Sequence, residues 1–154
     1  TAVIEGMTVS GTCEVSVRNM TLKTGTATFS GSNFSSTSLT YTSGPIKVSF
    51  SYIYQIWSTC VEVDQGKSST LTVTPVSSAT MQDVTITGIT LTFYSGYSTY
   101  NPNSITGTGW SYTNSSTTAT YTGSSTEAVT AILAARSNRE FDLRIITVTY
   151  SYYE

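Results

Sequence analysis

From Ile46 to Trp57 the chain alternates. Ile46, Val48, Phe50, Tyr52, Tyr54 and Ile56 are apolar or aromatic, and Lys47, Ser49, Ser51 and Gln55 between them are polar, with Ile53 the one intruder. Successive side chains of a strand point to opposite faces, so this run predicts a strand over 46–57 with one buried and one wetted face. Trp57 also falls on the wetted side. It either packs under a loop or marks a contact with another subunit, and packing is the preferred reading.

The same alternation recurs along most of the chain. Cys13, Val15 and Val17 alternate, and the phase then slips to Met20 and Leu22, which predicts a bulge near Arg18-Asn19. Thr26–Ser30 reads as a short strand and 31–44 as a long loop or ragged edge. Leu71, Val73 and Pro75 form a strand that the proline should end. Val84 and Ile86, then Ile89, Leu91 and Phe93, change phase around Gly88, a candidate bulge or bend. Residues 95–109 read as a loop, and Trp110 and Tyr112 begin the next strand. Strand is preferred over helix for Val129, Ala131 and Leu133, although 127–136 also has helical spacing. Residues 141–153 close the chain as a long strand with Ile146, Val148, Tyr150 and Tyr152 on one face. About ten short strands without an alternating helical pattern predict an all-β fold. The expected architecture is an antiparallel two-sheet β-sandwich, jelly-roll-like, in a single domain over 1–154. Residues 1–9 are then an edge strand or an exchanged arm.

Composition sharpens this picture. Charged residues are only 10% of the 154, and Ser and Thr, roughly a third, replace them as the wetted surface. A formal net charge of −2 without a basic stripe argues against a nucleic-acid partner. No run approaches a membrane-spanning length, so no membrane insertion is expected, and Thr1–Gly6 does not read as a signal peptide. Cys13 and Cys60 either bridge two strands or stay as buried thiols.

Candidate chemistry is sparse. The chain has no histidine, which removes Ser-His-Asp and Cys-His nucleophiles and every His-based metal site. Glu62 and Asp64, two apart on one strand face, are the one carboxylate pair to weigh for glycoside hydrolysis, and a solvated strand face beside a turn is the preferred reading. Asp83, Glu127, Glu140 and Asp142 sit beside expected turns, where acids are common, and calcium binding by such oxygens is not favoured. No catalytic residue, metal or cofactor is expected. The most suggestive feature is an aromatic loop of Tyr94, Tyr97, Tyr100, Trp110 and Tyr112 with Asn101 and Asn103 nearby. Aromatic faces stack on sugar rings while amides bond their hydroxyls, so Tyr94, Tyr97, Tyr100, Asn101, Trp110 and Tyr112 are glycan-contact candidates. Packing at a sheet end is the competing reading. Val3, Met7 and Val9 of the arm, with Tyr150 and Tyr152 of the last strand, are assembly candidates through strand addition or a tyrosine-rich contact. Asn19-Met20-Thr21, Asn33-Phe34-Ser35 and Asn114-Ser115-Ser116 match the N-glycosylation pattern.

Several stretches carry a family likeness. They are Gly44–Phe50, Val61–Val73 (VEVDQGKSSTLTV), Ile86–Phe93, Thr120–Ser124 and Leu143–Tyr150. Together they resemble β-sandwich modules of secreted and surface proteins of gut Bacteroidota and related structural proteins of their phages. The likeness covers about residues 26–150, with Tyr121-Thr122-Gly123 where the module often has Trp-Thr-Gly. It implies a non-catalytic appendage and supplies no site residues. The expected function is a structural or interaction module displayed on a virion (a phage head or tail decoration), a fibre or a cell surface, extracellular and assembling with itself or a carrier protein. The alternative is a carbohydrate-binding module that meets a cell-surface glycan through the aromatic loop.

Overall fold

Hydrophobic alternation becomes two antiparallel sheets in the structure, a computed structural model that describes residues 19–154. Twelve strands are present among these residues: β1 Leu22–Phe29, β2 Thr40–Ser43, β3 Ile46–Phe50, β4 Gln55–Trp57, β5 Cys60–Val63, β6 Ser68–Pro75, β7 Gln82–Phe93, β8 Ser104–Thr106, β9 Trp110–Ser111, β10 Thr118–Ser125, β11 Val129–Ala134 and β12 Phe141–Tyr153. The first sheet runs β4-β5-β12-β7-β10-β9, and β1 also pairs with β12; the second runs β2-β3-β6-β11-β8. The pairs nest, β5 with β12, β6 with β11 and β7 with β10, while the chain from β5 to β8 steps from one sheet to the other at each strand. A long ribbon doubled on itself and rolled into two layers gives this order, which is the jelly-roll arrangement.

One apolar core fills the space between the sheets. Val63, Ile86, Leu91, Phe93, Phe141 and Val148 from the first sheet meet Ile46, Val48, Leu71, Val73 and Leu133 from the second, all buried. The opposite face of the first sheet is a hydroxyl surface. Thr28, Thr147, Thr90 and Thr120 stand in register across β1, β12, β7 and β10. Threonine suits both demands there, being β-branched for the strand and polar for water.

Most expected elements appear, with informative exceptions. Residues 46–57 do not form one strand: β3 ends at Phe50 in the second sheet, and β4 starts at Gln55 in the first. Ser51 N–H still bonds Thr70 O of β6 at 3.0 Å, Tyr54 N–H already bonds Glu62 O of β5 at 2.9 Å, and Tyr52 N–H donates to the buried Ser69 Oγ at 3.3 Å. The crossover is so short that the alternation hardly registers it, and Ile53 marks the spot. The expected loop 95–109 contains the short strand β8 and a 3-10 turn at Ser98–Tyr100. The Gly88 phase change is a register shift: Thr149 faces Gly88, and Tyr150 faces Ile86. Strand also holds at 129–134. The expected bulge near Arg18-Asn19 and the arm of Val3, Met7 and Val9 lie in whole or in part outside the described residues.

Tyr150 is corrected from an assembly contact to a core residue. It is 8% exposed, and its ring covers Gly25 on β1, where an added Cβ would sit 2.5 Å from the ring. Tyr152 is half-buried against the same core, its ring 6.0 Å from that of Tyr150. The apolar surface of the closing strand is therefore largely consumed inside this domain.

Leu91 lies fully buried on β7, between β12 and β10. Truncation removes its transfer energy and leaves a cavity that neighbouring strands cannot close. Leu91→Ala is expected to destabilise the fold by about 2–5 kcal/mol in denaturant unfolding.

Candidate functional site

β7 ends on the buried Phe93, and the next side chain, Tyr94, therefore points outward. Its N–H donates to Asp142 O on β12 at 3.1 Å, which carries the pairing one residue further. The chain then bends through Gly96 and makes the 3-10 turn. This folds three tyrosines together: ring centroids are 6.4 Å apart for Tyr94–Tyr97, 5.9 Å for Tyr94–Tyr100 and 6.3 Å for Tyr97–Tyr100. Two arginines brace them. The Arg144 guanidinium lies 4.7 Å from the Tyr94 ring centre, and that of Arg139 lies 4.9 Å from Tyr100, with its Nη1 donating to the Tyr100 hydroxyl at 2.9 Å. Such contacts hold rings that would otherwise rotate freely in water. Tyr97 stays 66% exposed at the top of the cluster.

The same outer face continues across β12, β5 and β4. Phe141 and Leu143 point inward, so Asp142 and Arg144 point outward. Asp142 stands opposite Glu62, and Glu62 opposite Gln55. Trp57 lies on this side too, 50% exposed, with its indole N–H donating to Glu62 Oε2 at 3.0 Å. A bulge helps: Leu143 faces Phe93 while Ile145 faces Thr92, so Arg144 is an extra residue on β12. Bulges of this kind re-aim a side chain, here the guanidinium towards Tyr94.

Burial raises the Asp142 carboxyl above its ordinary value, and the Glu62 charge adds to this; Arg144 pulls it down, and Glu140 pushes it up again. Burial likewise raises the Cys60 thiol, followed by the charge of Asp142. Cys60 is buried and forms no disulfide among the described residues, and its proposed partner Cys13 lies outside them.

The structure divides the expected aromatic loop in three. Tyr94, Tyr97 and Tyr100 come together on the outer face. Asn101 is fully buried, its Nδ2 donating to Ser115 O at 3.3 Å; it ties two loops together and is closed to a ligand. Tyr112 is half-buried, packs edge-on against Phe93 and donates to Pro102 O at 2.7 Å, so it too is structural. Trp110 turns to the inner side of the sheet edge. It packs on Tyr121, whose register partner is the buried Ile89, and its indole N–H donates to Thr130 O of the second sheet at 2.9 Å. It fastens the two sheet edges and stands roughly five residues, or about 16 Å along a strand, from the Tyr94 level. Asn33 and Asn114, in two of the glycosylation patterns, use their side-chain oxygens in hydrogen bonds to Ser30 N–H and to Arg136 and Ser115.

Glu62 and Asp64 behave differently from each other. Asp64 Oδ1 accepts the Gln65 N–H at 2.8 Å and shapes the turn, whereas Glu62 faces Asp142. Among the described residues no group of three or more His, Cys, Asp or Glu is placed to hold a metal ion, and no helix is long and apolar enough to cross a membrane. Residue-level reading missed Arg139, Arg144 and Asp142 as members of the face, and it placed Trp57 in packing. The available signal was Trp57 on the wetted side of its strand and the three-residue step from Leu143 to Ile146, a phase change that marks a bulge beside Arg144. No family model, curated protein or solved structure matches the chain.

Two tests follow from this geometry. Asp142 is disfavoured as a charge in the fold, so its penalty is present above its raised folded pKa and fades as pH falls towards the ordinary value of about 3.9. Asp142→Asn should therefore stabilise the protein at pH 7 by up to about 1 kcal/mol, a bound set by its partial exposure. Thermal unfolding at several pH values should show that gain vanish near pH 4. Separately, an added Cβ at Gly96 would lie 2.5 Å from Tyr94 Cζ. Gly96→Ala should shift the aromatic NMR signals of Tyr94, Tyr97 and Tyr100 while moving the melting temperature little.

Proposed function

We propose that this chain is a non-catalytic interaction module carried on the outside of a virion, fibre or cell, assembling with itself or with a carrier protein. The observation that carries the reading is the outer face of the first sheet, where exposed Tyr97 leans on Tyr94 and Tyr100, themselves braced by Arg144 and Arg139, and exposed Trp57 is held by Glu62. Tyr, Trp and Arg are the residues that dominate binding energy at interfaces, and rings already fixed in place lose little freedom on contact. The hydroxyl-rich surface and the resemblance to surface modules of gut Bacteroidota and structural proteins of their phages support the setting. The face also supports a second reading, a carbohydrate-binding module, because planar polar side chains stand between its aromatics.

Light scattering over a concentration series tests the first reading. The chain should form species heavier than its 16.5 kDa monomer, and Tyr97→Ala should shift the equilibrium at least tenfold towards monomer. A strict monomer at every concentration, both alone and with its carrier particle, overturns it.

A further inference from the structure

We infer that the outward row of Gln55, Glu62, Asp142 and Tyr94, flanked by Trp57 and Tyr97, is a binding site for a neutral oligosaccharide. The inference rests on reading this face as the module's working surface and names what occupies it.

Saccharide recognition asks for two kinds of group in alternation. Apolar ring faces need exposed aromatic planes, and adjacent hydroxyls need planar acceptors or donors that take two bonds at once. The row supplies both. Tyr97 and Trp57 are half exposed or more at its two ends, and an amide and two carboxylates lie between them on neighbouring strands. From β4 to β7 there are three interstrand gaps of about 4.8 Å, roughly 14 Å in all, or on the order of three sugar rings.

The carboxylate pair favours this reading over plain packing. Like charges directly opposite each other on paired strands are unfavourable, and Glu62 and Asp142 stand in that relation. The Trp57 indole satisfies one Glu62 oxygen. A polyhydroxyl ligand brings further donors to both carboxylates without bringing charge. The two carboxylates Glu62 and Asp142 are matched by the two guanidiniums of Arg139 and Arg144, so the face has no net positive charge to attract a polyanion, and neutral chains are the expected ligands.

The test is a glycan array probed with the intact chain, followed by calorimetric titration with neutral oligosaccharides of one to five sugars. Affinity should rise to about three units and then level off. Trp57→Ala and Tyr97→Ala should each weaken binding at least tenfold and Glu62→Gln severalfold, with circular dichroism and melting temperature close to wild type. Ser124→Ala, outside the row, should leave affinity unchanged. Absence of binding to any neutral glycan, binding restricted to anionic glycans, or neutral binding indifferent to all three row variants overturns the inference. If no glycan binds but Tyr97→Ala abolishes assembly in light scattering, the saccharide fails and the working face stands. If Tyr97→Ala changes neither readout, both fail.

Discussion

Everything in this fold is referred to β12. One side of this 13-residue strand pairs with β7 along most of its length; the other side is shared, β5 taking its beginning and β1 its remainder. The second sheet packs over its inner face, burying Phe141, Leu143, Ile146, Val148 and Tyr150 and half-burying Tyr152. Their spacing is not a clean period of two, because Leu143 and Ile146 are three apart. The sheet accommodates the mismatch with the bulge at Arg144 and a further register shift opposite Gly88. Core packing sets the phase of the strand at each end, and the irregularity between the ends is where the outward side chains are re-aimed.

That constraint explains where the candidate site lies. The bulge falls in the gap on the other side of β12, after pairing with β5 ends at Leu143 and before pairing with β1 starts at Ile146. Arg144 leaves the sheet there and reaches the Tyr94 ring, and the turn after β7 brings Tyr97 and Tyr100 to the same place. Elsewhere the outer face is a regular array of threonines, which has no centre. A regular strand surface offers repeated small hydroxyls; a break in regularity lets long side chains converge.

The fold was legible in the sequence because its signal is local. Alternation at 46–50, 71–75, 84–93 and 146–152, the phase change at Gly88 and the terminal Pro75 each follow from a period of two and from backbone rules. The division of 46–57 between two sheets was not legible, since a crossover of a few residues preserves the alternation and only the hydrogen-bond partners change. The site was half legible for a related reason. Tyr94, Tyr97 and Tyr100 are near neighbours in the chain, and a turn brings them together. Asn101 follows directly and Trp110 and Tyr112 come a little further on, yet they face into the loop core or the inner sheet edge, because a strand reverses direction at every residue and a loop obeys no period.

The least legible members, Trp57, Glu62, Asp142 and Arg144, belong to three strands that become neighbours only when the ribbon rolls. β4 and β5 are joined by a short turn, but β12 reaches β5 from nearly eighty residues away in the chain. Nothing local in 141–145 announces that Asp142 will stand against Glu62. That juxtaposition is also the one on the face that core packing does not require, since both side chains point away from the core. The like-charged pair, with an indole on one of its oxygens and Arg144 as counter-charge, is set by which strands the rolled ribbon brings together rather than by the packing of the core.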